Sequence, residues 1–170
     1  LALVEAGADC AYRDENGASA IMKACASGCL SKNRKILALL VEKGCDLNAQ
    51  DETGLTALLI AVGRGKAEEV EKLLEAGCDC NLADSEGTTP LIRAAQEKNK
   101  GIVDQLVRGN ADVNKIDEYN QSATDLAEGP IKELLEKNGG LPGAKILDMA
   151  GDAARPPLPR VRKDSQGTTR

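Results

Sequence analysis

One four-residue motif, Asp-x-x-Gly with a final Asp-x-x-Asn variant, recurs along the chain and constrains the fold more than any other feature. Its copies begin at Asp14, Asp51, Asp84 and Asp117, so they are separated by 37, 33 and 33 residues. Two separate motifs recurring in phase indicate that one structural unit of about 33 residues is repeated. The second motif lies in the segments LLVEKGCDLNAQ (39–50), KLLEAGCDCNLA (72–83) and QLVRGNADVNKI (105–116).

The residues after each Asp-x-x-Gly motif predict two short helices. Thr89 can cap a helix through its hydroxyl, and Pro90 fits the first helical position, where its missing N–H costs nothing. Apolar residues at helical spacing then form one face of a first helix and, after a short break, of a second. Gly or Asn follows the second helices, at a position that favours a left-handed backbone. The other capping residues are Ser19, Thr56 and Ser122, and the residues after the second helices are Gly7, Gly44, Gly77 and Asn110.

A repeat of this length and content resembles the ankyrin repeat, and the resemblance covers residues 1–138. It implies an all-α ankyrin-repeat solenoid of stacked helix–turn–helix units with β-turn fingers, because one unit cannot bury its apolar face alone. Residues 139–170 are predicted to be a Gly- and Pro-containing basic tail, extended or flexible. The units within the array are a partial repeat (1–13), three repeats (14–50, 51–83 and 84–116) and a C-terminal capping repeat (117–138).

Three features depart from a regular ankyrin array. The first spacing of 37 residues places extra residues near 28–35, which predicts a bulged loop or a lengthened helix. The last repeat has a polar second helix, whereas residues 1–6 show no matching cap, so the chain is expected to continue a longer array or protein. Most replacements of the family's usual histidine are apolar and are expected to pack between repeats. The residues at this histidine position are Met22, Leu59, Ile92 and Asp125.

Composition argues against several classes of function. The formal net charge is −5, which disfavours nucleic acid as a partner, since that affinity comes mainly from Lys and Arg on phosphates. No apolar run reaches the ~18 residues that a membrane span needs, and no signal peptide opens the sequence. The chain has no His, and it contains neither a nucleophile elbow nor a P-loop. We therefore predict a protein that is not an enzyme and needs no cofactor.

The cysteines fit small apolar positions of the repeat better than a metal site. Their spacing is not that of a zinc finger, and no histidine is present to complete a site. Compared with the family, five of them replace alanine or valine, where Cys acts as a small hydrophobic residue. Free thiols predict a reducing compartment, cytoplasmic or nuclear, and only Cys29 is a candidate reactive thiol. The other five are Cys10, Cys25, Cys45, Cys78 and Cys80.

The resemblance also implies a binding surface. In ankyrin-repeat proteins the finger tips and the starts of the inner helices line a concave groove that binds other proteins, so we predict a protein-interaction or scaffold module. The acidic tips suggest a partner with some basic surface, while the exposed-type Leu55 and Tyr119 resemble interface hot spots. The alternative for Tyr12 and Ile116 is that they pack on neighbouring turns. The predicted partner-binding residues are Tyr12, Glu52, Leu55, Arg64, Glu86, Glu97, Ile116 and Tyr119.

The tail carries a second candidate motif, RPPLPR, formed by Arg155, Pro156, Pro159, Arg160 and the residues between them. Such a segment can bind an aromatic groove of a second protein, although a flexible tail with no partner is the simpler interpretation. Two other functions stay open. The chain could be the regulatory arm of a larger enzyme, or a structural subunit that its tail anchors in a large assembly.

Overall fold

The structure, a computed structural model, describes residues 12–28, 30 and 34–150. Within these residues every regular element is a helix, and extended backbone pairs only in two isolated antiparallel bridges at the bases of fingers. The helices are α1 (Ala20–Ala26), α2 (Arg34–Glu42), α3 (Ala57–Gly63), α4 (Ala67–Glu75), α5 (Pro90–Gln96), α6 (Lys100–Arg108), α7 (Ala123–Leu126), α8 (Gly129–Lys137) and α9 (Gly143–Ala150).

The helices stack in two rows. Helices α1, α3, α5 and α7 contact one another in order and form the inner row, and α4, α6 and α8 contact one another in order in the outer row. Within a repeat the two rows pack on each other, as α3 does on α4 and α5 on α6. Buried side chains of both rows, such as Leu58, Leu73, Leu91 and Leu106, belong to one continuous core. The predicted all-α ankyrin solenoid is therefore confirmed.

Hydroxyl side chains cap the inner helices at three of the four predicted positions. Thr56, Thr89 and Ser122 each accept a hydrogen bond from the backbone N–H three residues later. The hydroxyl of Ser19 is instead buried without a hydrogen-bond partner, and the Ser19 N–H donates to the sulfur of Met22 at 3.3 Å. Met22 thus takes the part that a Glu or Gln side chain plays in a capping box.

Thr89→Ala is expected to lower the free energy of unfolding by about 1 kcal/mol, because the N–H of Ile92 loses its acceptor. Ser19→Ala is the matched change at the same repeat position and should be neutral or slightly stabilising, since its hydroxyl makes no cap hydrogen bond. Urea denaturation followed by circular dichroism measures both variants. Equal losses for the two would contradict this account of the caps.

The position of the family's histidine is buried and apolar in three repeats. Met22, Leu59 and Ile92 are 1%, 2% and 1% exposed, as expected for residues that add to packing, and of the three only the Met22 sulfur also accepts a hydrogen bond among those described. Asp125 is the exception, because its carboxylate is exposed. It accepts hydrogen bonds from the N–H of Ser122 at 2.8 Å and from the N–H of Gly143 at 2.7 Å. Asp125, the one polar replacement, therefore binds the backbone of the segment that follows the last repeat.

A row of asparagines links each repeat to the next. The side-chain oxygen of Asn48 accepts from the N–H of Asp79 at 2.7 Å, and that of Asn81 accepts from the N–H of Asp112 at 2.7 Å. Asn114, one repeat further on, offers the same oxygen to a backbone N–H beyond the capping repeat. The row therefore continues past the end of the predicted array.

Residues 139–150 differ from the extended or flexible tail that the sequence predicted. The N–H of Leu141 donates to Asn114 at 2.9 Å, and the carbonyl of Leu141 accepts from the Ser122 hydroxyl at 2.7 Å. Helix α9 begins directly afterwards, at Gly143. The segment therefore occupies the place of a following repeat, because it satisfies polar groups that would otherwise face the next unit.

Candidate functional site

The carboxylate of the Asp-x-x-Gly motif organises each finger. In the second finger, one oxygen of Asp51 accepts hydrogen bonds from the N–H groups of Thr53 and Leu55, at 2.9 and 3.0 Å. The other three fingers repeat this pair of hydrogen bonds on their own aspartates. The recurring aspartates therefore shape the turns that present the finger tips.

Backbone hydrogen bonds hold successive fingers together. The N–H of Glu52 donates to the carbonyl of Asn16 at 3.2 Å, and the N–H of Glu118 donates to the carbonyl of Glu86 at 2.9 Å. A third bond of 2.9 Å joins the second finger to the third. Residues at equivalent positions of the motif consequently lie in rows along the stack. We call the surface made by the finger tips and the ends of the inner helices the finger face.

Six of the eight predicted partner-binding residues are exposed. Tyr12 and Tyr119 are 66% and 63% exposed, so neither ring is covered by a neighbouring turn. Leu55 and Ile116 are half-buried, and Ile116 forms an antiparallel bridge with Ser122 at the base of its finger. Those two side chains offer a partner less apolar surface than the sequence suggested. The remaining exposed residues are Glu52, Arg64, Glu86 and Glu97.

Negative charge is concentrated around Tyr119 on the fourth finger. A hydrogen bond with the Glu118 carboxylate, together with the charges of Glu118 and Glu86, raises the pKa of the Tyr119 phenol above its usual value. The phenol therefore stays protonated at neutral pH beside two carboxylates. A cationic group brought to this tip can interact with the ring and with both acids.

Basic side chains of the inner helices differ in their availability. Lys23 and Arg93 each pair with the aspartate of their own finger motif, at 3.0 and 3.4 Å. Arg64 caps the C-terminal end of α3; it is exposed and forms no ion pair with a residue that the structure describes. Glu97 caps the end of α5 in the same way. The finger face thus offers a partner one exposed guanidinium, that of Arg64, which pairs with no described carboxylate.

The described cysteines confirm the apolar interpretation with one correction. Cys25, Cys78 and Cys80 are buried free thiols. Burial, and next the charge of Glu69, raises the pKa of Cys25 to about 12, and burial raises the pKa of Cys78 to about 12 as well. Cys45 is disulfide-bonded, unlike these three thiols. The expectation of free thiols is therefore wrong for Cys45, because its buried position also accommodates a disulfide sulfur.

Several predicted features fall outside the described residues. Among the residues that are described, no group of three or more His, Cys, Asp or Glu could hold a metal ion. No helix in the same ranges combines the length and apolarity needed to cross a membrane. The positions without a structural description include Gly7, Cys10, Cys29, much of the insertion near 28–35, and the tail residues Arg155, Pro156, Pro159 and Arg160.

Sequence reasoning missed a groove of about 710 Å³ between helix α2 and the outer-row helix α4. Val41 lies in this groove and is 43% exposed. Acidic residues of α4 line the other side at positions 68, 71 and 75, which share one helix face. The spacing of these acidic residues could have indicated an acidic helix face from the sequence alone. The exposure of Val41 could not be predicted in this way, because it depends on Ala76 in the next repeat.

Comparison with known proteins agrees with this architecture. A family model described as ankyrin repeats, in three copies, matches residues 29–117, slightly more than half of the chain. The chain therefore belongs to the ankyrin-repeat family, whose repeats are generally protein–protein interaction modules. A comparison with curated proteins finds no match.

Proposed function

We propose that this chain is a protein-binding module, with a scaffold role, whose finger face recognises a partner with a basic surface. The observation that carries the proposal is the fourth finger tip, where the exposed ring of Tyr119 lies beside Glu118 and Glu86. A Lys or Arg of a partner gains cation–π and ion-pair contacts at such a tip. Arg64 supplies a charge of opposite sign, which helps to select one orientation of the partner.

The stacked fingers favour binding because they are ordered before a partner arrives. Each turn is fixed by its own aspartate, and backbone hydrogen bonds join each finger to the next. Ordering a loop on binding normally lowers affinity, and a preformed surface avoids that cost. The proposal therefore requires no change of shape in the finger face.

The triple variant Leu55→Ala, Arg64→Ala, Tyr119→Ala is expected to reduce partner capture at least about tenfold, since aromatic and Arg truncations each cost about 1 kcal/mol or more at hot spots. The measurement is affinity purification with quantitative mass spectrometry, which compares this variant with the wild type. The melting temperature should change little, because Arg64 and Tyr119 are exposed and Leu55 is only half-buried.

A matched triple variant, Glu133→Ala, Glu136→Ala, Lys137→Ala, changes exposed residues of α8 and should retain the same partners. The role of the finger face would be refuted if the finger-face variant still captured the same partners. It would also be refuted if both triple variants lost those partners to the same extent. The RPPLPR segment remains a proposed contact for a second protein. Capture by a chain truncated after residue 150 tests that contact separately.

A further inference from the structure

The groove between α2 and α4 is open because its residues differ from those one repeat later. Between α4 and α6, Leu74 reaches Gly109, where an added Cβ would lie 3.3 Å from the side chain of Leu74. In the preceding repeat the same two positions hold Val41 and Ala76. Val41 is 43% exposed, whereas Leu74 is half-buried against the core. Val41 is shorter than Leu74, and the methyl group of Ala76 stands where Gly109 has none. We attribute the uncovered apolar surface of the groove to these two differences.

The rim of this groove is acidic. Glu42 of α2 and Glu71 and Glu75 of α4 are exposed, and none forms an ion pair with a described residue. Lys72 lines the groove too, but its side chain is only 15% exposed. Its ammonium group donates to the Glu68 carboxylate at 2.8 Å and to a backbone carbonyl at 3.1 Å. The groove therefore combines an apolar floor with negative charge that no nearby cation in its described lining neutralises.

We propose that this groove docks a cationic amphipathic helix of another protein. Apolar residues of that helix would cover Val41 and Ala76, while its Lys or Arg side chains would face Glu42, Glu71 and Glu75. The acidic wall runs over eight residues of α4, about 10 Å at 1.5 Å per residue, which matches two turns of an incoming helix.

A helix suits this groove because it carries apolar and basic residues on adjoining faces at spacings of three and four. Glu71 and Glu75 are themselves four residues apart on α4. The groove shares no residue with the finger face, so this inference stands or falls independently of the proposed function.

The test uses the full chain and a labelled synthetic helix of about 18 residues with Leu on one face and Lys on the other. Fluorescence anisotropy should show binding of this peptide, and no binding of a peptide with Glu in place of every Lys. Glu71→Lys with Glu75→Lys, and separately Val41→Asp, are each expected to weaken binding by about tenfold or more. Glu133→Lys with Glu136→Lys on α8 makes the same change in net charge and should leave the affinity within about twofold.

Three results would overturn the inference. If the α8 control weakened peptide binding as much as the α4 variant does, the attraction would come from overall charge alone. If the Val41→Asp variant bound the peptide as well as the wild type, the apolar floor would not be used. Binding that appears only after residues 151–170 are deleted would indicate that the chain's own basic tail occupies the groove. Val41→Ser, a milder change, replaces Val41→Asp if the latter lowers the melting temperature.

Discussion

Gly54→Ala is expected to lower the free energy of unfolding by roughly 2–5 kcal/mol. The φ angle of Gly54 is +78°, a left-handed conformation that costs other residues about 1–2 kcal/mol. A Cβ at this position would also lie 2.8 Å from the backbone nitrogen of Ser85 and 2.9 Å from backbone carbons of Asp84. These atoms belong to the next finger and cannot rotate away as a side chain can, so the two fingers must separate.

Gly77→Ala is the matched control for this prediction. Gly77 has a φ angle of +85°, but a Cβ there meets nothing within 4 Å, so only the conformational cost of about 1–2 kcal/mol applies. Urea denaturation of both variants isolates the contribution of finger stacking as the difference between them. If the two alanines cost the same, close contact between fingers does not contribute to stability.

Local signals explain why much of the fold was predictable. Thr89 followed by Pro90 marks a helix start, and α5 begins at Pro90 with Thr89 as its cap. Gly44 and Gly77, which follow outer helices, have φ angles of 72° and 85°, as expected for residues that end helices. Each of these features depends on a few neighbouring residues, so the pattern of residue types is enough to place it.

The features that escaped prediction depend on which particular residue a side chain meets, and in two of three cases that residue is far away in the sequence. Ser19 has the right type for a cap, yet its hydroxyl is buried without a hydrogen-bond partner, while its own N–H donates to the sulfur of Met22. Val41 is exposed because of Ala76, which lies in the next repeat. Asp125 accepts a hydrogen bond from the N–H of Gly143, which belongs to the segment after the last repeat, and that segment matches no repeat motif. Sequence periodicity describes what the units share, and it carries no information about such exceptions.

The candidate binding surface was partly predictable for the same reason. The repeat register placed Tyr119 at a finger tip, and its ring is 63% exposed. The repeat register placed Ile116 on the same surface. It lies at the base of its finger, however, where the bridge to Ser122 and partial burial limit the area that a partner can contact. Position in the motif therefore predicted exposure better at the tips than at the bases of the fingers.

Gly143→Ala is expected to detach residues 139–150 from the array while the repeats stay folded. A Cβ at Gly143 would collide with the carbonyl oxygen of Asn120 and would lie 3.2 Å from the Asp125 carboxylate. Hydrogen exchange should then speed up at the Leu141 amide by at least about tenfold, because its bond to Asn114 is lost. Gly101→Ala is the control, since a Cβ there meets only the side chain of Asn99 at 3.6 Å. Unchanged protection of Leu141 would show that the segment does not need this close contact.

Acid should detach the same segment in the unmodified chain. Burial raises the pKa of Asp125, but hydrogen bonds from the N–H of Gly143 and from the N–H and hydroxyl of Ser122 outweigh it and hold the pKa below its usual value. The ionised carboxylate therefore stabilises docking above the pKa of a free Asp, about 3.9, and this stabilisation is lost as the pH falls through the lowered value. After correction for intrinsic rates, exchange at Leu141 should rise below about pH 4. Asp125→Ala should remove that dependence and give fast exchange at every pH, whereas a pH response that persists in this variant would assign the effect to another group.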